Sequence, residues 1–592
     1  MRAFAREHGR TFQGRTLVTM STRQQRTRPQ VEALRARPHA QVLVIGGGIN
    51  GIATFRDLAL QGVDVALVER GDYVSGASSA SSHMVHGGVR YLENGEFRLV
   101  QEAVTERNAL LRTAPHYVRP LETTIPIFKT FSGILTAPFR LLFTHGTGKP
   151  NERGALLIKV GLMIYDTFSR DGGSVPRHVF RRAKRSLQAF PQMNKDVAYT
   201  ASYYDASMHD PERLALDVLF DGVRAGGEQA RPANYLSVDG VDGDQVTLLD
   251  ETTGERFGFT ADVIVNTSGP WTDLTNDALG QPTTFMGGTK GSHIVLENDE
   301  LLAATGGNEI FFEHSDGRIV LIYPLKGRVM VGTTDIDADP RERTVCTDDE
   351  IDYFFDLIGH VFPDITVDRA QIRYTFSGIR PLPRHDDMAP GFVSRDYRIE
   401  RGDAAGTPVL SLVGGKWTTF RAVAEHVASD TLALLGRART VSTADLAIGG
   451  GADYPRTPRD RARWIEQHRG VHTAALADRM LERYGTRAGD VLAAVPEGAE
   501  ELAAVPGYFA EEIAHLARTE DVVTLADVLL RRTSVAFVGG ATIGGLRQLA
   551  AAVGDVLGWD GDARAAQVDE AVRVLREHHR IAVDEDRHAA LV

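Results

Sequence analysis

The residues best suited to chemistry begin with a glycine pattern. Gly46, Gly48 and Gly51 have the G-x-G-x-x-G spacing of a dinucleotide-binding turn. The first glycine permits the tight turn, the second lets a pyrophosphate approach the backbone, and the third lets helix and strand pack closely. Phosphates held there sit at the positive end of a helix dipole. Glu69 ends the next β run, where a carboxylate accepts hydrogen bonds from ribose hydroxyls. The pattern alone does not choose between FAD and NAD. The run Ser75-Gly-Ala-Ser-Ser-Ala-Ser-Ser82 does, because small residues can wrap a bulky cofactor closely, and the cofactor expected is FAD. Gly414 and Gly415, before a late helical stretch, add a second dipole suited to the negative charge of a reduced flavin ring.

These residues need particular elements to hold them. Gln41-Val-Leu-Val-Ile45 is an apolar β run, a helix is expected over 52–61, and Val65-Ala-Leu-Val-Glu69 is a second β run. Together they form a β-α-β unit with two parallel strands. A third apolar run, Asp262-Val-Ile-Val-Asn266, leads into Thr-Ser-Gly-Pro270, and Val409-Leu-Ser-Leu-Val413 leads into the Gly414 pair. Short strands over 317–325 and 328–332, separated by polar turns, suggest an antiparallel sheet. From Thr457 onward the apolar residues follow helical spacing, after an entry marked by Pro455 and Pro458.

With 592 residues the chain has room for two or three compact units. The expected division is a basic, disordered extension over 1–40, an oxidoreductase domain over 41–445, and a helical domain over 446–592. Within the second, cofactor segments are expected near 41–120, 200–280 and 370–445, with substrate segments near 121–199 and 281–369. The first 38 residues hold nine arginines and two acids, a composition that suits a transit peptide, a disordered extension, or a start at Met20. A single cysteine, Cys346, excludes an internal disulfide and a cysteine-ligated iron–sulfur cluster within this chain, and fits a reducing compartment. The net charge of −12 speaks against a nucleic-acid partner. No apolar run reaches the roughly 20 residues of a spanning helix. His468 and His472 have His-x-x-x-His spacing but lack a zincin glutamate, so a solvated helix face is expected there and no metal site.

Taken together, Ile45-Gly-Gly-Gly-Ile-Asn-Gly51, Ser78-Ser-Ala-Ser-Ser82, His86-Gly-Gly-Val-Arg-Tyr-Leu92, Glu96-Phe-Arg-Leu-Val100, Lys290-Gly-Ser-His293, Gly332-Thr-Thr-Asp335, Ser377-Gly-Ile-Arg-Pro381 and Gly414-Gly-Lys416 resemble the FAD-dependent glycerol-3-phosphate dehydrogenases. The resemblance covers roughly 41–445 and is weaker in the helical tail. It implies an α/β plus α architecture: a Rossmann-like FAD-binding fold of the D-amino-acid-oxidase type, an inserted mixed-sheet substrate domain, and an all-helical C-terminal domain. It also implies hydride transfer from C2 of glycerol 3-phosphate to FAD, giving dihydroxyacetone phosphate, with electrons passed to a quinone or, in some relatives, to oxygen. A cytoplasmic enzyme that touches the inner face of the cell membrane is expected, with a homodimer as one option. The stretch 129–154, longer than in better-known members, is either an interfacial membrane contact or a surface insertion.

For that substrate the site needs fixed cations for the phosphate and an acceptor for the hydroxyl proton. The matching motifs offer Arg380 and Lys416 as the leading catalytic cations, with Arg90 and Arg395 as further phosphate ligands and Tyr91 as a residue that orients a neighbour. His86 and His293 are the two candidate bases, and the residues alone do not rank them. Cofactor contacts are expected from Gly46, Gly48, Gly51, Glu69, Ser78, Ser79, Ser82, Gly269, Gly414, Gly415 and Thr418. The competing readings are an amino- or hydroxy-acid oxidase of the same fold, an oxygen-using glycerol-3-phosphate oxidase, and a flavin-bound sensor without turnover.

Overall fold

The computed structural model describes residues 28–88, 97–128, 176–313, 319–384 and 396–583. The glycine turn lies in an eight-stranded sheet. Its main path runs Arg398–Ala404, Thr407–Val413, Arg256–Asn266, His39–Ile45, Val65–Val68, Ala230–Ala233. All neighbours after the first pair are parallel, and a hairpin of Leu236–Asp242 and Gln245–Asp250 joins the sheet through Arg256–Phe259, the first residues of an interior strand. Parallel strands buried on both faces read as continuous apolar runs. That is why Val42, Leu43, Val44, Val65, Ala66 and Leu67 are all fully buried. The helix after the glycine turn runs Ile49–Leu60, three residues earlier than its apolar spacing suggested, because Gly48 supplies the extended N-cap.

The second sheet has ten strands, ordered Ile336–Asp337, Met286–Leu296, Arg328–Gly332, Ile319–Leu325, Glu309–Glu313, Val118–Ile127, Tyr199–Met208, Met84–Val85, with Ile372–Pro383 and Val179–Arg182 pairing off the path. It is mixed, Glu309–Glu313 running parallel to Val118–Ile127. Tyr199–Met208 and Ile372–Pro383, which the expected segment limits placed with the cofactor half, are strands of this second sheet. Their long antiparallel pairings with Val118–Ile127 and Met286–Leu296 draw them there.

The C-terminal region is helical, from Pro458–His468 through Gly561–His579, around its own core of Met480, Leu481, Ile513, Leu525, Leu546 and Leu549. One expectation fails near the N-terminus. Within 1–40, residues Pro29–Ala36 form a helix and His39 opens the first strand. Val31 and Leu34, three apart on that helix, are buried against the sheet, and each such burial is worth about 1.5–3 kcal/mol. The nearby arginines are structural. Arg28 donates to the Asn234 side chain at 2.9 Å, and Arg37 pairs with Asp64 at 3.0 Å.

Residues 1–27, which include Met20, and the stretch 129–154 lie outside the described residues. Among the described residues no helix is long and apolar enough to cross a membrane, and no group of three or more His, Cys, Asp or Glu could hold a metal ion. His468 ends its helix stacked on Trp464. His472 lies beyond that helix and meets the Leu492 carbonyl at 3.0 Å, so the two do not form one solvated helix face. Cys346 is buried, which pushes its thiol up to about 12.

Candidate active site

The glycine turn is shaped by contacts that leave no space for side chains. A Cβ on Gly51 would lie 1.9 Å from the Gly46 carbonyl and 2.5 Å from Thr267 Oγ1. A Cβ on Gly46, which has φ +106°, would meet Thr267 O at 2.8 Å. Gly48 is the N-cap of the following helix, and a Cβ there would meet Ser78 Oγ at 3.2 Å. Glu69 stands at the end of the second strand, its carboxylate accepting from Gly47 N at 2.7 Å and Gly71 N at 2.8 Å. Ser78 Oγ accepts from Ile49 N at 3.0 Å, and the Ser78 carbonyl accepts from Trp417 Nε1 at 2.9 Å. The serine-rich run is thus tied both to the glycine turn and to the segment after Gly415.

Gly414 and Gly415, at φ +92° and +106°, turn the chain out of Thr407–Val413 toward the helix Phe420–Leu434. A Cβ on Gly415 would come 2.7 Å from Asn50 Nδ2, and Asn50 Oδ1 is buried with no hydrogen-bond partner. A close approach of glycine backbone to Asn50, with an unpaired buried amide oxygen beside it, fits a polar ligand such as a flavin. Gly269, at φ +62°, turns the chain after Arg256–Asn266. Thr418 Oγ1 donates to the His86 carbonyl at 3.4 Å. Lys416 lies close enough to Glu102 for its charge to oppose the effect of burial on that carboxyl.

The hydroxyls of two expected ligands bond elsewhere. Ser79 donates to the Gly76 carbonyl and lines a cavity of about 30 Å³ with His83, Lys326 and Ser534, on the side of the helical domain. Ser82 reaches the second sheet instead, where its hydroxyl and His293 Nε2 share a hydrogen bond of 2.8 Å.

The rest of the site is set by strand register. In an antiparallel pair, residues two apart share a face with their partners. His293 pairs with Phe376 on one neighbour and with Gly332 on the other, Gly291 pairs with Gly378, and Thr289 with Arg380. All of these therefore share one face. Its glycines make room: a Cβ on Gly332 would strike His293 Cδ2 at 2.2 Å, one on Gly291 would strike Arg380 Nη2 at 2.2 Å, and one on Gly378 would strike Ala80 Cβ at 2.4 Å. The serine-rich loop thus lies directly over this face, between the two sheets.

On it, His293 is buried and stacked on Phe376, with ring centroids 4.6 Å apart. Burial, helped by the Arg380 charge, pushes the imidazole well below its ordinary value. Its Nδ1 is buried without a hydrogen-bond partner. Arg380 is held by Asp335 Oδ1 at 3.0 Å, Thr333 Oγ1 at 2.8 Å and the Thr334 carbonyl at 2.9 Å. The opposite face stiffens that turn: Thr334 Oγ1 donates to Glu350 at 2.6 Å, and Lys290 donates to the same carboxylate at 2.8 Å. Asn50, Thr333 and Asp335 received no role from the sequence. Their signal was their place inside the glycine pattern and the Gly332-Thr-Thr-Asp335 motif. Arg90, Tyr91 and Arg395 lie outside the described residues.

A parallel sheet with a glycine turn at its strand ends, facing a mixed sheet that carries a buried imidazole and a fixed guanidinium, has the layout of a two-domain dinucleotide-dependent oxidoreductase with an appended helical domain. Residues 41–428 match the family model described as FAD dependent oxidoreductase, and residues 441–564 match that of the C-terminal domain of alpha-glycerophosphate oxidase. The chain is 33% identical to a glycerol-3-phosphate dehydrogenase of Synechocystis over 91% of this chain and 96% of that protein. It is 32% identical to a D-erythritol 1-phosphate dehydrogenase of Brucella abortus, over 83% and 93%. The structure of a Bacillus halodurans glycerol-3-phosphate dehydrogenase complexed with FAD superposes with a TM-score of 0.70 at 22% identity, covering 93% of this chain and 97% of that one. The chain belongs to the family of FAD-dependent glycerol-3-phosphate dehydrogenases. Its cofactor is FAD, and its fold is that of the D-amino-acid-oxidase type with a helical C-terminal domain.

Proposed function

We propose that the protein oxidises sn-glycerol 3-phosphate at C2 to dihydroxyacetone phosphate and passes the electrons to a quinone. The observation that carries this reading is the pairing, on one face of the second sheet, of a buried neutral imidazole with a fixed guanidinium beneath the serine-rich loop. The relatives' names supply the substrate class, a polyol phosphate. FAD, when bound, accepts the hydride that leaves C2.

The chain's own residues do the rest. His293 shares a hydrogen bond with Ser82 through Nε2, and a neutral imidazole keeps one lone pair to take the hydroxyl proton. Arg380 is locked by Asp335 and the Thr333–Thr334 turn, so it can orient a substrate oxygen without paying for rotamer freedom at each turnover. Lys416, with Arg90 and Arg395, completes the charge needed for a phosphate dianion. Glu69 receives the ribose of the cofactor, and Gly46, Gly48 and Gly51 its pyrophosphate.

The Brucella relative favours a second reading, D-erythritol 1-phosphate, which differs by one carbon and one hydroxyl. Comparing kcat/KM for the two substrates, with a dye acceptor and identification of the product, separates them. Glycerol 3-phosphate is expected to give the higher value and one dihydroxyacetone phosphate per two electrons. A higher value for D-erythritol 1-phosphate would transfer the assignment to that substrate.

A further inference from the structure

The segment that follows Glu69 has two sides. Its inner side is bound to the glycine turn: Glu69 accepts from Gly47 N, and Val74 N donates to the Gly47 carbonyl at 2.9 Å. The Tyr73 ring packs against the same turn, since a Cβ on Gly47 would come 3.2 Å from Tyr73 Cδ1. Its outer side is bound to the helical domain. Asp72 is buried, and its Oδ2 accepts from Arg531 Nε and Arg532 Nη1. Its Oδ1 accepts from Arg532 Nη2 at 3.0 Å and Asn234 Nδ2 at 2.9 Å. Tyr73 Oη donates to Asp521 at 3.1 Å.

The arginines come from a π-helical turn, Val528–Arg532. Consecutive side chains on an α-helix diverge by about 100°, and this wider turn brings two neighbours onto one carboxylate. Such turns cluster at functional positions. The network extends through Arg531 to Asp527 at 2.9 Å, Tyr235 to Asp527 at 2.6 Å, and Arg532 to the Glu520 carbonyl at 2.8 Å. Buried charges are a poor route to stability alone, and their best-attested use is to fix register between elements.

We propose that the helical domain is a latch on the cofactor site: Arg531 and Arg532 hold Asp72, and through it the loop from Glu69 to Ser82, in the conformation that receives FAD. FAD binding and docking of the helical domain then favour each other. Linkage makes the effect reciprocal, and couplings of this kind are typically about 5–150-fold in affinity. The proposal does not depend on which polyol phosphate is the substrate.

The test uses the full chain stripped of FAD and titrated back, following quenching of flavin fluorescence. Asp72→Asn and Arg532→Met are each expected to weaken FAD binding within that range, and the double variant no more than the worse single. Unchanged FAD affinity in folded variants would overturn the proposal. Since either variant could fail to fold, hydrogen exchange on the wild-type chain provides the second arm. Adding FAD is expected to slow amide exchange over 525–533, and identical exchange with and without FAD would contradict the latch.

Discussion

Replacing His293 with glutamine is expected to lower kcat by about 10²–10⁴, the usual contribution of a positioned general base, with FAD content kept near the wild-type level. Glutamine keeps a polar group for Ser82 while removing the titrating nitrogen. The pH profile carries the sharper information. Burial and the Arg380 charge hold His293 well below its ordinary value of 6.5, so the imidazole is neutral, and able to accept a proton, throughout the neutral range. In the wild type, kcat/KM should stay flat above about pH 6.5 and fall as pH drops through that depressed value. The variant should lose this acid limb. His86→Ala should retain it if His293 is the base, and alanine keeps the backbone carbonyl that accepts from Thr418. Loss of the limb in His86→Ala and its survival in His293→Gln would reverse the assignment.

The second large effect belongs to Arg380. Arg380→Ala is expected to lower kcat/KM by about 10²–10³, the scale of removing one fixed electrostatic donor from a reaction centre, again with FAD retained. Arg380→Lys should recover little, because a point charge cannot span Asp335, Thr333 and the Thr334 carbonyl as the guanidinium fork does. Alanine also leaves Asp335 without its cation, so the thermal midpoint should be read alongside the kinetics. A drop in stability with unchanged kinetics would mark Arg380 as a structural ion pair only.

The parts of this protein that were legible in the sequence are those whose chemistry is local. Gly46 to Gly51 specify a turn within six residues, and the strand before it and acid after it are contiguous runs. The second half of the site was legible as residue types but not as an arrangement. His293 and Arg380 become neighbours only through the register of Met286–Leu296 against Ile372–Pro383. Nothing in the residues near His293 says that its imidazole is desolvated; that burial comes from the second sheet packed around it. Composition misled at the N-terminus, where a count of arginines outweighed Val31 and Leu34 at helical spacing. The contact of Arg532 with Asp72 spans 460 positions and left no local trace.

The central claim, that this site takes a hydride from a polyol phosphate, is tested most directly by mixing the oxidised holoenzyme with glycerol 3-phosphate without oxygen. The flavin band near about 450 nm is expected to bleach within the time of one turnover, and reoxidation by a quinone analogue should restore it. A band that persists with both glycerol 3-phosphate and D-erythritol 1-phosphate, yet bleaches with an amino acid, would contradict the account.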